Sequence, residues 1–374
     1  MSGSVRASAW VDLGAVKRNC TRLRRELAAG AVLCVVVKAD AYGHGVAGCA
    51  GAALRGGAGR LAVAAAAEAA EVRAAEPEAS LLTMGALGAD ELRQALEAGS
   101  DVAVWRRGFL EAIAEAGAAC GLTPRVHVKY DTGMGRLGER DPRAVAELLR
   151  LAAAEPRVEL AGLWTHFATA DEPGSAFFDT QLRSFAELVE PARAEYPGLL
   201  VHAANSAATL RDPASHFGMV RCGVAVYGLD PFQEDPFARE LEPALELRSY
   251  VADVKRFERG TSAGYGQVWK ASANTRIGVL PIGYGDGVRR ALTNNGEVLA
   301  GGRRHPIVGT VSMDNLTIDL GPESEIEPGE PATLIGTQGS ERILCEEVAR
   351  RLGTINYEVT TQISPRVPRV HHAS

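Results

Sequence analysis

Short apolar runs of strand length recur through the first two thirds of the chain, separated by Ala-rich or Glu/Arg-rich stretches of helical length. The run from Val32 to Val37 is rich in β-branched residues and ends in a Gly-containing turn, the pattern of a strand buried on both faces. Comparable runs lie near Leu61 to Ala65, Leu81 to Met84, Asp101 to Trp105, Arg125 to Tyr130, Leu160 to His166, Leu199 to Ala203 and Val220 to Gly223. Ahead of them, a strand-like start from Arg6 to Val11 leads to Asp12, which can cap a helix from Leu13 to Leu27 on the apolar spacing of Val16, Leu23 and Leu27. The alanine run from Ala64 to Ala75 reads as a good helix former that carries no chemistry. Eight strands alternating with helices predict an α/β fold, a (β/α)8 TIM barrel whose active site lies at the C-terminal strand ends.

Beyond about Leu241 the pattern changes. Runs near Leu245 to Val254, Ile277 to Ile282, Pro306 to Asp319 and Ala332 to Ile335 are broken by Gly, Pro and Asp turns, with one short helix expected from Arg342 to Leu352. The predicted organisation is a barrel over residues 12–241 and a C-terminal, mainly β domain made of 242–374 with residues 1–11.

Composition narrows the function. With 374 residues, 46% hydrophobic and 23% charged, the chain can bury a large core. A net charge of -6 without a basic stripe argues against a nucleic-acid partner. No stretch is apolar enough to span a bilayer, and Met1 to Arg6 lacks the apolar segment of a signal peptide, so a cytoplasmic enzyme is expected. Six scattered cysteines without a C-x-x-C pair read as reduced thiols, with neither disulfide nor metal site expected.

The predicted strand ends carry the candidate chemistry. Lys38 ends the first barrel strand, where it serves either an ion pair or a covalent role such as a Schiff base. Asp131 to Arg136 forms a loop in which Gly133 and Gly135 allow close backbone approach and Arg136 offers a fork for a carboxylate, or serves structure alone. His166 stands at the mouth, as a ligand-facing group or a satisfied polar one. Asn205 and Ser206 open a helix, so that either is a plain N-cap or Ser206 helps hold an anion. Arg221 and Gly223 end the last strand, and the loops after strands seven and eight are the usual phosphate site of such barrels.

The ordered set K-A-D-A-Y-G-H-G, V-K-Y-D-T-G-M-G-R, T-H-F-A-T-A-D, H-A-A-N-S, V-R-C-G-V-A-V-Y-G, G-Y-G-D-G, V-S-M-D-N and I-N-Y-E-V resembles the alanine racemase family across nearly the whole chain. The resemblance implies a pyridoxal-phosphate enzyme of barrel plus β domain that works as a head-to-tail homodimer and supplies D-alanine for peptidoglycan. By the same resemblance Lys38 bonds the cofactor, and Tyr42, Ser206, Gly223, Val224 and Tyr357 hold its phosphate. Arg221 faces the pyridine nitrogen, Arg136 assists substrate and tyrosine placement, and His166 supports the second base, Tyr265. Met313 lies near the substrate carboxylate from the partner subunit, and Lys129 matches a lysine often carbamylated. Two positions depart from the family pattern: Gly264, where serine is usual before the tyrosine, and Ser312, where cysteine is common. Neither removes a reacting group.

Racemisation needs an acid/base group on each face of a planar carbanion, which Lys38 and Tyr265 would provide. A permanently charged guanidinium beside the pyridine nitrogen disfavours its protonation and weakens the electron sink, favouring prompt reprotonation. A phenol at its reference pKa of about 10 is a poor base, so positive charge nearby has to favour the phenolate. Alternative activities are racemisation of serine or a broader set of amino acids. A decarboxylase of the related barrel class would place an acidic residue where Arg221 stands, and a barrel-only cofactor-binding protein would lack the β domain and Tyr265.

Overall fold

The computed structural model describes residues 5–374, so the reading made on Met1 to Ser4 lies outside the described residues. Two compact units divide at Ala15/Val16 and Val226/Tyr227. The predicted boundaries, 12 and 241, are therefore displaced. The segment after Tyr227 joins the second unit because its bonds lie there: Asp230 N–H donates to the Glu346 carboxylate (2.9 Å), and Ala244 N–H donates to the Tyr227 carbonyl (3.0 Å).

In chain order, β1 (Ala7–Asp12) is followed by a helix at Leu13–Glu26, whose first turn is capped by Asp12 accepting from Gly14 N–H at 2.7 Å. Eight parallel strands follow: β2 (Val32–Val36), β3 (Arg60–Val63), β4 (Leu81–Thr83), β5 (Ser100–Val104), β6 (Arg125–Lys129), β7 (Glu159–Trp164), β8 (Leu200–His202) and β9 (Met219–Cys222). They close into a barrel in sequence order, with β9 pairing β2. The apolar runs form these strands because Val, Leu and Ala side chains fill the barrel and the helix-facing layer at once; Val35, Val63, Val104, Val128 and Leu163 are fully buried. Eight barrel strands stand where the sequence placed them.

The second unit is mainly β. Its strands are β10 (Leu245–Tyr250), β11 (Asp253–Phe257), β12 (Ser262–Ala263), β13 (Trp269–Lys270), β14 (Thr275–Leu280), β15 (Glu297–Ala300), β16 (Arg303–Pro306), β17 (Leu316–Asp319), β18 (Pro331–Gln338), β19 (Glu341–Ile343) and β20 (Arg369–His372). One sheet runs β16-β15-β18-β10-β1-β20, with β19 beside β18; a second runs β11-β14-β17. Helices at Cys345–Leu352 and Asn356–Thr361 accompany them.

Two predicted runs were too long. The stretch from Leu245 to Val254 breaks after Tyr250: Val251 N–H still bonds Glu330 (2.8 Å), but Ala252 N–H turns to the Val279 carbonyl of β14 (2.7 Å). Pro306 to Asp319 is two strand ends joined by a loop. There, Gly309 N–H donates to Asn294 (2.7 Å) and Val311 N–H to Thr293 (3.1 Å), so side chains replace strand partners. Among the described residues no helix is long and apolar enough to cross a membrane.

Candidate active site

The barrel unit gathers most candidate side chains at the C-terminal strand ends. Lys38 follows β2, and burial, reinforced by the Arg136 charge and opposed by Glu68, holds its amine below the ordinary lysine value. The next four residues, Ala39, Asp40, Ala41 and Tyr42, all take left-handed backbone, with φ between 52° and 55°. L-residues pay about 1–2 kcal/mol each for this geometry. The turn persists because it is tied down: Ala39 N–H donates to Glu68 (2.6 Å), Ala41 N–H to the Val37 carbonyl (2.9 Å) and Val46 N–H to the Asp40 carboxylate (2.8 Å). Glu68 also accepts from Ala64 and Ala65 N–H, at 2.8 and 3.0 Å. The alanine-rich helix, Ala66–Ala75, thus contributes a carboxylate to the turn that carries Lys38, contrary to the reading that it carries no chemistry.

Lys129 ends β6, buried, with its ammonium 4.2 Å from the Trp164 ring centroid. Burial first, then the Arg136 and Arg221 charges, push its pKa down to about 7. Beyond it, Asp131 accepts from the backbone N–H groups of Gly133 (3.0 Å) and Gly135 (3.1 Å), folding the loop that presents Arg136, itself exposed. His166 follows β7; burial and the charges of Arg221 and Arg136 hold its imidazole well below the usual histidine value, in the neutral form.

After β8, the cap of the short helix is Asn205, which accepts from Ala208 N–H at 2.9 Å. Ser206 is thereby released from capping, and its hydroxyl accepts from Gly223 N–H at 3.0 Å. A Cβ on Gly223 would lie 2.3 Å from the Tyr42 hydroxyl oxygen, so glycine is what lets the tyrosine reach the end of β9. Tyr42 is buried, and its phenol is pushed up, so it stays a neutral donor. Val224, also buried, continues the same backbone.

Arg221 sits at the centre. It is 2% exposed and stacks 4.8 Å from the Trp164 centroid. One terminal nitrogen donates to His202 Nδ1 (2.9 Å); the other donates to the Thr165 carbonyl (2.8 Å), the Ala203 carbonyl (2.9 Å) and His166 Nδ1 (3.0 Å). Its Nε is the one guanidinium nitrogen without a partner among the described residues, although buried. A buried donor left unmet is costly and marks a place for a ligand acceptor. Burial lowers its pKa to about 10, which leaves it charged at neutral pH. An aromatic ring nitrogen meeting that Nε–H, with a phosphate near Tyr42, Ser206 and Gly223, fits this donor set.

The β unit carries the remaining candidates. Tyr265 is 74% exposed, on the turn between β12 and β13, flanked by Gly264 (φ 72°) and Gly266 (φ 73°). Its carbonyl accepts from the Thr310 hydroxyl at 2.7 Å, and with Ser312 and Asn315 it lines an open depression. The positive φ of Gly264, with Thr310 N 2.7 Å from where a Cβ would sit, explains why the usual serine is absent here. Ser312 donates to the Asn315 carbonyl (2.6 Å), a bond internal to its loop, and Met313 is half exposed beside it. Tyr357 opens the helix Asn356–Thr361, anchored by buried Asn356, which donates to Glu346 and to the Asp230 carbonyl, both at 2.8 Å. The candidates thus fall into a barrel set of eight and a β-unit set of Tyr265, Met313 and Tyr357.

Residues 11–231 match the family described as "Alanine racemase, N-terminal domain", and residues 244–371 match "Alanine racemase, C-terminal domain". The chain belongs to the alanine racemase family. It is 40% identical to an alanine racemase of Frankia casuarinae over 98% of this chain and 96% of that one. It is 42% identical to that of Geobacillus stearothermophilus, over 96% and 92% of the two chains. Among solved structures, the alanine racemase from D-cycloserine producing Streptomyces lavendulae superposes with a TM-score of 0.94 at 37% identity, covering 100% of this chain and 98% of that one. Family membership makes the chain an isomerase whose cofactor is pyridoxal 5'-phosphate.

Trp164, Glu68 and His202 were missed as site residues. Only His202 sits inside a quoted motif; Trp164 and His202 end strands, where a ring was the one available signal, and Glu68 lies on a helix that gave none.

Proposed function

We propose that the chain interconverts L-alanine and D-alanine by moving one proton at the α-carbon between Lys38 on one face and Tyr265 on the other. Bound pyridoxal phosphate withdraws electrons from the α-carbon. The observation that carries this reading is Arg221, whose two terminal nitrogens both donate within the barrel and whose buried Nε–H is left over for the ring nitrogen. A fixed cation there opposes protonation of the ring and keeps the negative charge on the α-carbon short-lived, which suits return of the proton.

The other residues follow from their surroundings. The lowered pKa of Lys38 raises the share of neutral amine, the form that can bond an aldehyde and accept a proton. Neutral His166 accepts from Arg221 at Nδ1, so its Nε2–H remains to donate towards the second base. Tyr42, Ser206, Gly223, Val224 and Tyr357 hold the phosphate; Arg136 and Met313 place the substrate carboxylate. Tyr265 and Met313 are exposed, which supports a homodimer in which each β domain completes the partner's barrel. Free cysteines throughout support a cytoplasmic enzyme supplying D-alanine for peptidoglycan.

Chiral analysis of products from L-alanine and L-serine is the test. D-alanine should form much faster than D-serine; faster serine turnover would move the substrate assignment, and turnover of neither would overturn the activity. Mixing inactive Lys38→Ala and Tyr265→Phe chains under conditions of subunit exchange should restore activity. No recovery in an exchanged mixture would place both bases in one chain.

A further inference from the structure

The barrel core holds a line of polar side chains where branched apolar layers are usual. His202 ends β8, His127 lies in the middle of β6 and Asp101 near the start of β5, and all three are buried. His202 Nε2 and His127 Nδ1 are 2.9 Å apart, and His127 Nε2 and the Asp101 carboxylate 3.0 Å. Arg60 pairs with the same carboxylate, and Arg125 lies 3.3 Å from it. The line therefore runs from Arg221 at the C-terminal end of the barrel to an acid at its N-terminal end.

Strand β7 separates β6 from β8, so the two imidazoles can meet only if β7 leaves room. It does so at Gly162, paired with His127 across the ladder: a Cβ there would stand 2.3 Å from His127 Nδ1. A side chain of any kind would push the two rings apart.

Hydrogen-bond logic then permits one proton arrangement. Arginine has no acceptor, so Arg221 must donate and His202 Nδ1 must accept. His202 therefore carries its proton on Nε2 and donates to His127 Nδ1. His127 in turn carries its proton on Nε2 and donates to Asp101, the only member able to accept without donating. Every ring nitrogen is used, as a buried polar chain requires. Both imidazoles are held below the usual histidine range, chiefly by burial.

We propose that Asp101, acting through His127 and His202, is a positioning residue for Arg221: it fixes the tautomers that give the guanidinium its acceptor and leave Nε–H free for the cofactor. The proposal rests on the reading that Arg221 faces the ring nitrogen. Asp101→Asn loses the directionality, because an amide can turn its N–H towards His127 Nε2 and reverse both tautomers. A proton on His202 Nδ1 would then face an arginine N–H and drive Arg221 away.

The direct test is nitrogen NMR of histidine-labelled holoenzyme. Wild-type His127 and His202 should both be neutral Nε2–H tautomers; a proton on Nδ1 of either ring, or a doubly protonated ring, overturns the proposal without any variant. Asp101→Asn should populate the Nδ1–H tautomers and lower kcat about 10- to 100-fold, the usual cost of removing a supporting hydrogen-bond partner, with KM little changed. Gly162→Ala, which alters no titratable group, should break the His127–His202 bond and lower kcat in the same way. Folded variants with wild-type kcat overturn the role. A wild-type protein with the expected tautomers that racemises no amino acid overturns the assigned activity, and leaves the tautomer assignment standing.

Discussion

The two sets of candidate residues differ in how they are held. In the barrel, Arg221 is enclosed and makes four hydrogen bonds, Ser206 and Gly223 are bonded to each other, and the strained turn after Lys38 is pinned by Glu68. In the β unit, Tyr265 is three-quarters exposed and is fixed through its backbone carbonyl, between two glycines of positive φ. Rigid support suits groups that must keep one geometry towards a cofactor. An exposed base on a glycine-flanked turn suits a group that acquires its surroundings only when another surface covers it.

That contrast can be broken from the barrel side first. Lys38→Ala should remove both the covalent anchor and one base, with racemisation falling by about 10²- to 10⁴-fold or more. Borohydride reduction of wild-type holoenzyme followed by peptide mapping checks the anchor; label on Lys129 or Lys255 would contradict it. Arg221→Glu should cost about 10²- to 10³-fold, the scale of losing one preorganised donor, while pyruvate from transamination rises because the ring nitrogen can now keep a proton. Unchanged racemisation without by-product would remove the argument from the weakened sink.

Gly223→Ala sharpens the contrast at the phosphate end. The added Cβ meets the Tyr42 hydroxyl at 2.3 Å, an overpacking of about 1–3 kcal/mol that should appear as roughly 10- to 100-fold weaker cofactor binding by equilibrium dialysis. The same substitution at Gly266, where the nearest atom is 3.5 Å away, should leave cofactor binding intact.

The smallest effect concerns pH. Lys129 titrates at about 7 in the fold against an ordinary 10.5, so the unfolded chain binds more protons between those values. Stability should therefore rise with pH across that window and be lost as pH falls towards 7. Lys129→Met should flatten this slope in denaturant titrations in carbon-dioxide-free buffer; an unchanged slope would assign the titration elsewhere. A neutral amine is also what reacts with carbon dioxide, and an intact-mass gain of one CO2 would identify carbamylation.

Much of this arrangement was legible in the sequence. The eight barrel strands were readable because a parallel strand buried on both faces needs an unbroken apolar run, as in Leu33 to Val36. Asp12 as a cap was readable from local chemistry. The loop between β16 and β17 was not, since Asn294 and Thr293, far along the chain, satisfy its backbone. Nor was the left-handed turn: nothing in Ala39 to Tyr42 announces positive φ, which is imposed by Glu68, Val37 and Val46. The line from Arg221 to Asp101 depended on four strands coming into register, with Gly162 silent until its neighbours were known.

Hydrogen exchange at the α-carbon of Tyr265→Ala, followed in deuterated solvent with each enantiomer separately, tests the two-face account most directly. With Lys38 intact and the tyrosine gone, D-alanine should keep exchanging while exchange of L-alanine and net racemisation fall by about 10²- to 10⁴-fold. Exchange of L-alanine with D-alanine spared would put the two bases on the opposite faces, and equal exchange of both would mean that Tyr265 is not a base.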